Sequence, residues 1–394
     1  MPVLHLISNL DNSGGTIAAL NLHKALINVG YDSAVLSTNK LAGVLYGNGY
    51  RKFGGISGRI QQAFLKLENL LAQPGFINPV DKWLVKNELE KYNGIIHIHV
   101  THVAQTSFKL INWLAKDKKV FWTLHDLWPL TAKCIHPTYC NKWQKGCYNC
   151  PKLEEYPKLN WDNTPNLYKH KWNFIINNQI HFIAPSNWIN ELTSEKIIKN
   201  GSKISTIYHG IDNAIFKPRN LVESRKIFDL PIKANVIFFP QGRWDDKKKG
   251  IEWYEKIKQA LIYSDLKEQF ILLRLGQVSQ INKFNHNLSE IILPLTTFPE
   301  VMASYYQCAN VSVTLSETET FGLCVAESLS CNIPVIGRDA PGVRELINNG
   351  LLKNNVDELI ELIKVKKWEM TDQQNENNFS EVIWAKKHID LYEA

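Results

Sequence analysis

Short apolar strands alternate with helical stretches in two successive series, and this constrains the chain more than any other feature. The first series reads as strands at Val3–Ile7, Ser33–Ser37, Ile95–Val100, Val120–Leu124 and His181–Ala184. The second reads as strands at Val236–Phe239, Phe270–Leu275, Val311–Leu315 and Pro334–Ile336. Strands this apolar are buried on both faces, and helices between them cover a parallel sheet on both sides. The first helix, from Thr16, carries Leu22, Ala25, Leu26 and Val29 at helical spacing and stops at Gly30. An α/β chain of 394 residues with 44% hydrophobic residues has enough material for two such cores. The charged stretch Lys217-Pro-Arg-Asn220 interrupts the pattern, so a hinge is expected between Asn190 and Pro218. The expected domains are residues 1–195 and 196–378. A polar linker, 369–378, then leads to an amphipathic helix over 379–394 that joins the first domain.

A formal charge of +7 is mild. It suits a phosphate-bearing ligand or an anionic membrane surface as well as a nucleic acid. The basic residues are dispersed and no aromatic-basic groove module is recognisable, which argues against nucleic acid. No apolar run approaches the ~20 residues of a membrane span. Met1-Pro-Val-Leu-His-Leu-Ile7 enters a strand without a charged leader, so no signal peptide is read and a cytoplasmic protein is expected.

The chemistry-bearing residues lie where these strands end. Glu319 and Glu327 stand in Ser316-Glu-Thr-Glu-Thr-Phe-Gly-Leu-Cys-Val-Ala-Glu327, with a helix expected from Leu323 to before Pro334. One carboxylate falls in the strand-to-helix loop and the other in the first turns of the helix. The amides of Phe321, Gly322 and Leu323 point out of its N-terminus, where an anion or a sugar hydroxyl is held. Gly14-Gly15 opens the first helix and suits either close approach to a phosphate or a tight turn of positive φ. The dinucleotide pattern G-x-G-x-x-G is absent, which argues against a nicotinamide cofactor. Arg243 and Lys249, in Pro240-Gln-Gly-Arg243-Trp-Asp-Asp-Lys-Lys248-Lys249-Gly250, follow a strand, and their charges suit a diphosphate. His125, beside Asp126, lies just past another strand.

In this order, with His209-Gly-Ile-Asp212, Pro334-Val-Ile-Gly337 and Gly342-Val-Arg-Glu345, these motifs resemble the retaining family-4 glycosyltransferases along nearly the whole chain. The resemblance implies a GT-B fold, two Rossmann-like domains facing across a cleft. It implies a retaining hexosyltransferase that moves a hexose from a nucleotide diphosphate sugar, UDP- or GDP-linked, to a saccharide. A lipid-linked glycan of surface polysaccharide synthesis is the expected acceptor, and a soluble acceptor or a non-catalytic sugar-nucleotide binder the alternatives. Arg243 and Lys249 would hold the diphosphate, with Lys248 as substitute because the spacing is one residue longer than the family's commonest. Glu327 would bind the ribose hydroxyls. Glu319, with the amides of Phe321, Gly322 and Leu323, would contact the donor sugar. His125 would touch that sugar from the other domain, and Gly14 and Gly15 would approach the diphosphate or acceptor. No catalytic metal or other cofactor is implied.

Cys134, Cys140, Cys147 and Cys150-Pro follow His125-Asp-Leu-Trp-Pro, a combination resembling a subgroup of these enzymes from bacterial polysaccharide clusters. Four thiols in this span, ending in Cys-x2-Cys, suit tetrahedral structural zinc. Reduced buried thiols and disulfides are the other readings, and His136 is a substitute ligand. His97 and His99, on one strand face, are read as core or cleft-lining residues. The stretch Arg59–Leu71 is an amphipathic helix with Ile60, Ala63, Phe64, Leu67 and Leu71 on one face. It is read as a surface helix packed on its domain, with peripheral contact to the inner face of the membrane as the rival.

Overall fold

A computed structural model describes residues 1–8, 13–37, 43–46, 49–52, 57–90, 92–101, 106–137, 139–242, 244–347, 349–370 and 379–394. The chain divides into two compact units, Met1–Gly210 with Val382–Ala394, and Ile211–Glu381.

The first unit is built on an eight-stranded sheet. Its strands are β1 (Val3–Ile7), β2 (Ser33–Ser37), β3 (Gly43–Tyr46), β4 (Gly49–Lys52), β5 (Ile95–Ile98), β6 (Val120–Thr123), β7 (His181–Ala184) and β8 (Lys203–Thr206). They lie in the order β4-β3-β2-β1-β5-β6-β7-β8. All neighbours are parallel except the added hairpin, where β2–β3 and β3–β4 are antiparallel. The apolar runs of β1, β2, β5 and β6 are buried throughout. Leu4, Leu6, Ile96, Ile98 and Trp122 pack into one core, while Val3, Ile95 and Phe121 meet Leu22, Leu26, Trp384 and Tyr392 in another. Residues Glu381–Glu393 form the expected helix, and its buried Trp384, Ala385 and Tyr392 belong to this first-unit core.

The second unit carries seven strands: β9 (Asn235–Phe239), β10 (Phe270–Gly276), β11 (Gln280–Lys283), β12 (Leu288–Pro294), β13 (Val311–Thr314), β14 (Val335–Arg338) and β15 (Leu352–Lys353). Their order is β11-β12-β10-β9-β13-β14-β15, with β11 alone antiparallel. Both units are therefore doubly wound α/β structures, the plan that the resemblance implies for each domain. Each has a point where the strand order reverses, between β1 and β5 and between β9 and β13. Open α/β sheets bind ligands at the carboxyl ends of the strands at such points.

Among the described residues no helix is long and apolar enough to cross a membrane. The helix Ser57–Leu70 is amphipathic as expected, but it is turned the other way round. Gln61 and Glu68 face inward at 1% and 0% exposure, while Ile60, Leu67 and Leu70 are 46%, 39% and 64% exposed. The cause is local. Glu68 accepts the amides of Gly75, Ile77 and Asn78, so its carboxylate anchors the turn that follows the helix. The expectation that the apolar face packs inward is corrected accordingly.

Candidate active site

In the second unit the loops after β9, β13 and β14 are laced together. Asp246 accepts the amide of Lys248 and caps the one-turn helix Lys247–Lys249. Gly250 follows at φ +86, and a Cβ there would lie 2.3 Å from the carbonyl oxygen of Leu315. Only glycine permits both that conformation and that approach. The amide of Glu317 donates to the carbonyl of Lys248, and that of Glu319 to Pro341. This clasp brings the Lys249 ammonium to 2.7 Å from Glu319 Oε1, at the carboxyl ends of β9 and β13. The Glu319 charge, foremost, raises the pKa of Lys249 above its ordinary value and outweighs the effect of burial. Of the two lysines, Lys249 reaches the acid, while the backbone of Lys248 ties the loops. Arg243 lies outside the described residues.

The helix Leu323–Ser330 opens at Gly322, and no side chain caps it. Its first amides, including those of Gly322 and Leu323, have no intrahelical acceptor and carry the positive end of the helix dipole. Phe321 is buried against Phe379. Glu327, one turn in, receives a 2.9 Å hydrogen bond from the Tyr306 hydroxyl on Oε2. Glu327 keeps some surface in solvent, yet the packing around its carboxyl pushes its pKa up to about 7. The sequence did not point to Tyr306, which lies 21 residues earlier on another helix.

At the reversal point of the first unit, His125 stands behind a line of imidazoles. His99 Nδ1 is 2.9 Å from His125 Nε2, and His5 Nδ1 is 2.9 Å from His99 Nε2. His5 Nε2 is buried with no partner among the described residues. An N–H buried without an acceptor costs more than a bare ring lone pair, so His5 carries its proton on Nδ1. His5 then donates to His99, His99 donates to His125, and His125 keeps its own proton on Nδ1. Burial lowers the pKa of His125 to about 4, which leaves it a neutral imidazole at neutral pH. Asp126 Oδ1 accepts the amide of Trp128. His97 bonds to Tyr392 and Thr123, which makes it a core residue. His99 and His125 stood out in the sequence, but His5, 94 residues before His99, did not.

Gly14 and Gly15 form the first turn of the helix Gly14–Asn28 and do not form a positive-φ turn. A Cβ on Gly15 would lie 2.5 Å from Val100 Cγ2 and 3.1 Å from His125 Cβ. The glycine makes room for the ends of β5 and β6, where His125 sits. The four clustered cysteines are free, partly buried, and line one cavity, which His136 does not line.

Residues 12–214, more than half of the chain, match the family model described as Glycosyltransferase Family 4. This chain is a family-4 glycosyltransferase. Residues 234–365 of the glycosyltransferase match a second model, Glycosyl transferases group 1. The enzyme is 23% identical over 288 residues to the putative colanic acid biosynthesis glycosyl transferase WcaC of Escherichia coli K12, covering 70% of this chain and 67% of that one. Its fold is similar to sucrose-phosphate synthase from Thermosynechococcus elongatus, with TM-score 0.66 and 16% identity over 100% and 98% of the two chains. It is also similar in fold to Anabaena Alr3699/HepE in complex with UDP-glucose, with TM-score 0.62 and 12% identity over 100% and 99%.

Proposed function

We propose that this glycosyltransferase moves a hexose from a UDP- or GDP-sugar to a saccharide with retention of configuration. The observation that carries the reading is the Lys249–Glu319 pair at the β9–β13 reversal point, beside the uncapped start of the helix Leu323–Ser330. A cation held there by a carboxylate suits a diphosphate, and free helix amides suit the charge that grows as it leaves. Arg243, in the same loop, adds a second cation. Glu327 takes the ribose hydroxyls, with Tyr306 fixing one of its oxygens. His125, a neutral imidazole, is the first unit's candidate to touch the sugar. In the reaction the bond from C1 to the diphosphate oxygen breaks and the bond from C1 to the acceptor oxygen forms on the same face. The acceptor's proton passes to the departing phosphate oxygen. The cations offset the leaving charge, so added magnesium is not required.

Two substitutions test this division of roles. Glu319→Gln should lower turnover about 100-fold or more with nucleotide affinity kept. Glu327→Gln should weaken nucleotide binding first. Equal losses of affinity in both, with no loss of rate, would reject the roles. A screen of UDP-, GDP- and ADP-sugars, with the product's anomeric configuration read by NMR, tests donor and stereochemistry.

The outward apolar face of the helix Ser57–Leu70 supports a lipid-linked acceptor. Ile60, Leu67 and Leu70 are exposed there, and the exposed charges of the helix, Arg59 and Lys66, are both basic. Such a face binds anionic interfaces. Wild-type protein should float with phosphatidylglycerol vesicles but not with phosphatidylcholine, and Leu67→Gln with Leu70→Gln should abolish this. Equal flotation of the double variant would refute membrane contact through this face.

A further inference from the structure

We propose that Cys134, Cys140, Cys147 and Cys150 bind a zinc ion as a tetrathiolate that fixes the loop beyond β6. The four thiols, spread over a loop whose only regular element among the described residues is the one-turn helix Lys142–Lys145, line one cavity. The surrounding backbone holds this loop in place. The Lys142 ammonium holds the carbonyls of Tyr148 and Asn149, which closes the Cys147–Cys150 turn. Asn149 sits in the left-handed region at φ +45, and the Cys150 amide is fixed by Asp162 Oδ2. The oxygens of Asp162 are used on Cys150 and Thr164, so it is not a ligand.

A soft, all-sulfur donor set selects zinc over magnesium or calcium.

The competing cluster is His5, His97 and His99, which alone among the described residues brings three metal-ligand atoms within 4.8 Å of one another. It is not a metal site, because both ring nitrogens of His97 and of His99 are already in hydrogen bonds within the buried core. No three of the cysteine sulfurs approach that closely, so metal binding must draw the loop inward.

The test uses the full chain, purified under reducing conditions without a metal-affinity step. Elemental analysis should find about one zinc per chain. Protein stripped by chelator should take up Co²⁺ and show the charge-transfer and d–d bands of a tetrahedral tetrathiolate. It should also melt several degrees below the zinc form. Cys134→Ser and Cys147→Ser should each lose most of the zinc, and Cys308→Ser should keep it. If the loop variants do not fold, the wild-type zinc content and cobalt spectrum still decide. Metal-free wild type that binds no Co²⁺ would overturn the proposal. So would iron with sulfide in place of zinc, or denatured protein with four of its seven thiols missing to disulfides.

Discussion

The two units share a doubly wound plan but place their ionisable groups in opposite ways. The core of the first is threaded with neutral histidines: His5, His97, His99, His209 and His388 are buried, and burial lowers the pKa of each. The second unit has one histidine, the exposed His286, and meets its buried acids with partners, Glu319 with Lys249 and Glu290 with Arg274 and Tyr254. A histidine can shed its charge on burial, whereas a carboxylate kept charged in a fold needs a cation or a donor beside it. One unit is built to hold a proton on a chosen nitrogen, the other to hold a formal charge for an anion.

The sharpest way to break this comparison is acid. A histidine whose pKa is lowered by folding contributes stability that is complete above its unfolded value and lost as pH falls. His388 drops from 6.5 to about 4, so at about pH 5 it alone should cost on the order of 2 kcal/mol. The other buried histidines add to this. Asp81 and Glu68, whose pKa values burial raises, oppose it in part. Hydrogen exchange read by mass spectrometry at about pH 7 and about pH 5 should show the first unit opening well before the second. Equal loss of protection in both units would end the comparison.

Next in size, Lys249→Ala and Arg243→Ala should each weaken free nucleoside diphosphate by about 1.5–3 kcal/mol, seen by calorimetry. Unchanged affinity in both would remove the second unit's charged site from the donor. Gly15→Ala should destabilise the first unit by about 1–3 kcal/mol through overpacking against Val100 and His125, and should shift the His125 imidazole resonances. A silent spectrum would mean the glycine does not position that ring. The last test is at Glu327. Its folded pKa of about 7 stands above the ordinary 4.5. Its contribution is therefore complete below about pH 4.5 and lost as pH rises through 7, the reverse of the histidines. Glu327→Gln should raise the second unit's melting temperature at about pH 8 by a few degrees and leave it unchanged at about pH 4.

The strands and the strand-end position of Glu319, Glu327, Lys249 and His125 were legible in the sequence because buried parallel strands are apolar runs and helices follow them. The hairpin of β3 and β4, the antiparallel β11 and the parallel β8, β12 and β15 were not, since these are polar, mixed or very short segments whose pairing comes from their neighbours. The histidine line and the Tyr306–Glu327 bond join residues distant in sequence, and periodicity carries no information on such pairs. The helix Ser57–Leu70 shows a different limit. Its pattern identifies which face is apolar, but the partners of Glu68 decide which face is covered.

The first unit is discontinuous, and this bears on how the protein is made. Residues 211–381 leave the ribosome as one uninterrupted stretch and have all the strands of their sheet. The first unit, begun earlier, must wait for residues 382–394 before Trp384, Ala385 and Tyr392 fill its core and Tyr392 meets His97. The unit synthesised first is thus completed last. A chain that ends early leaves a histidine-lined cavity open to solvent, where proteases recognise unfinished protein.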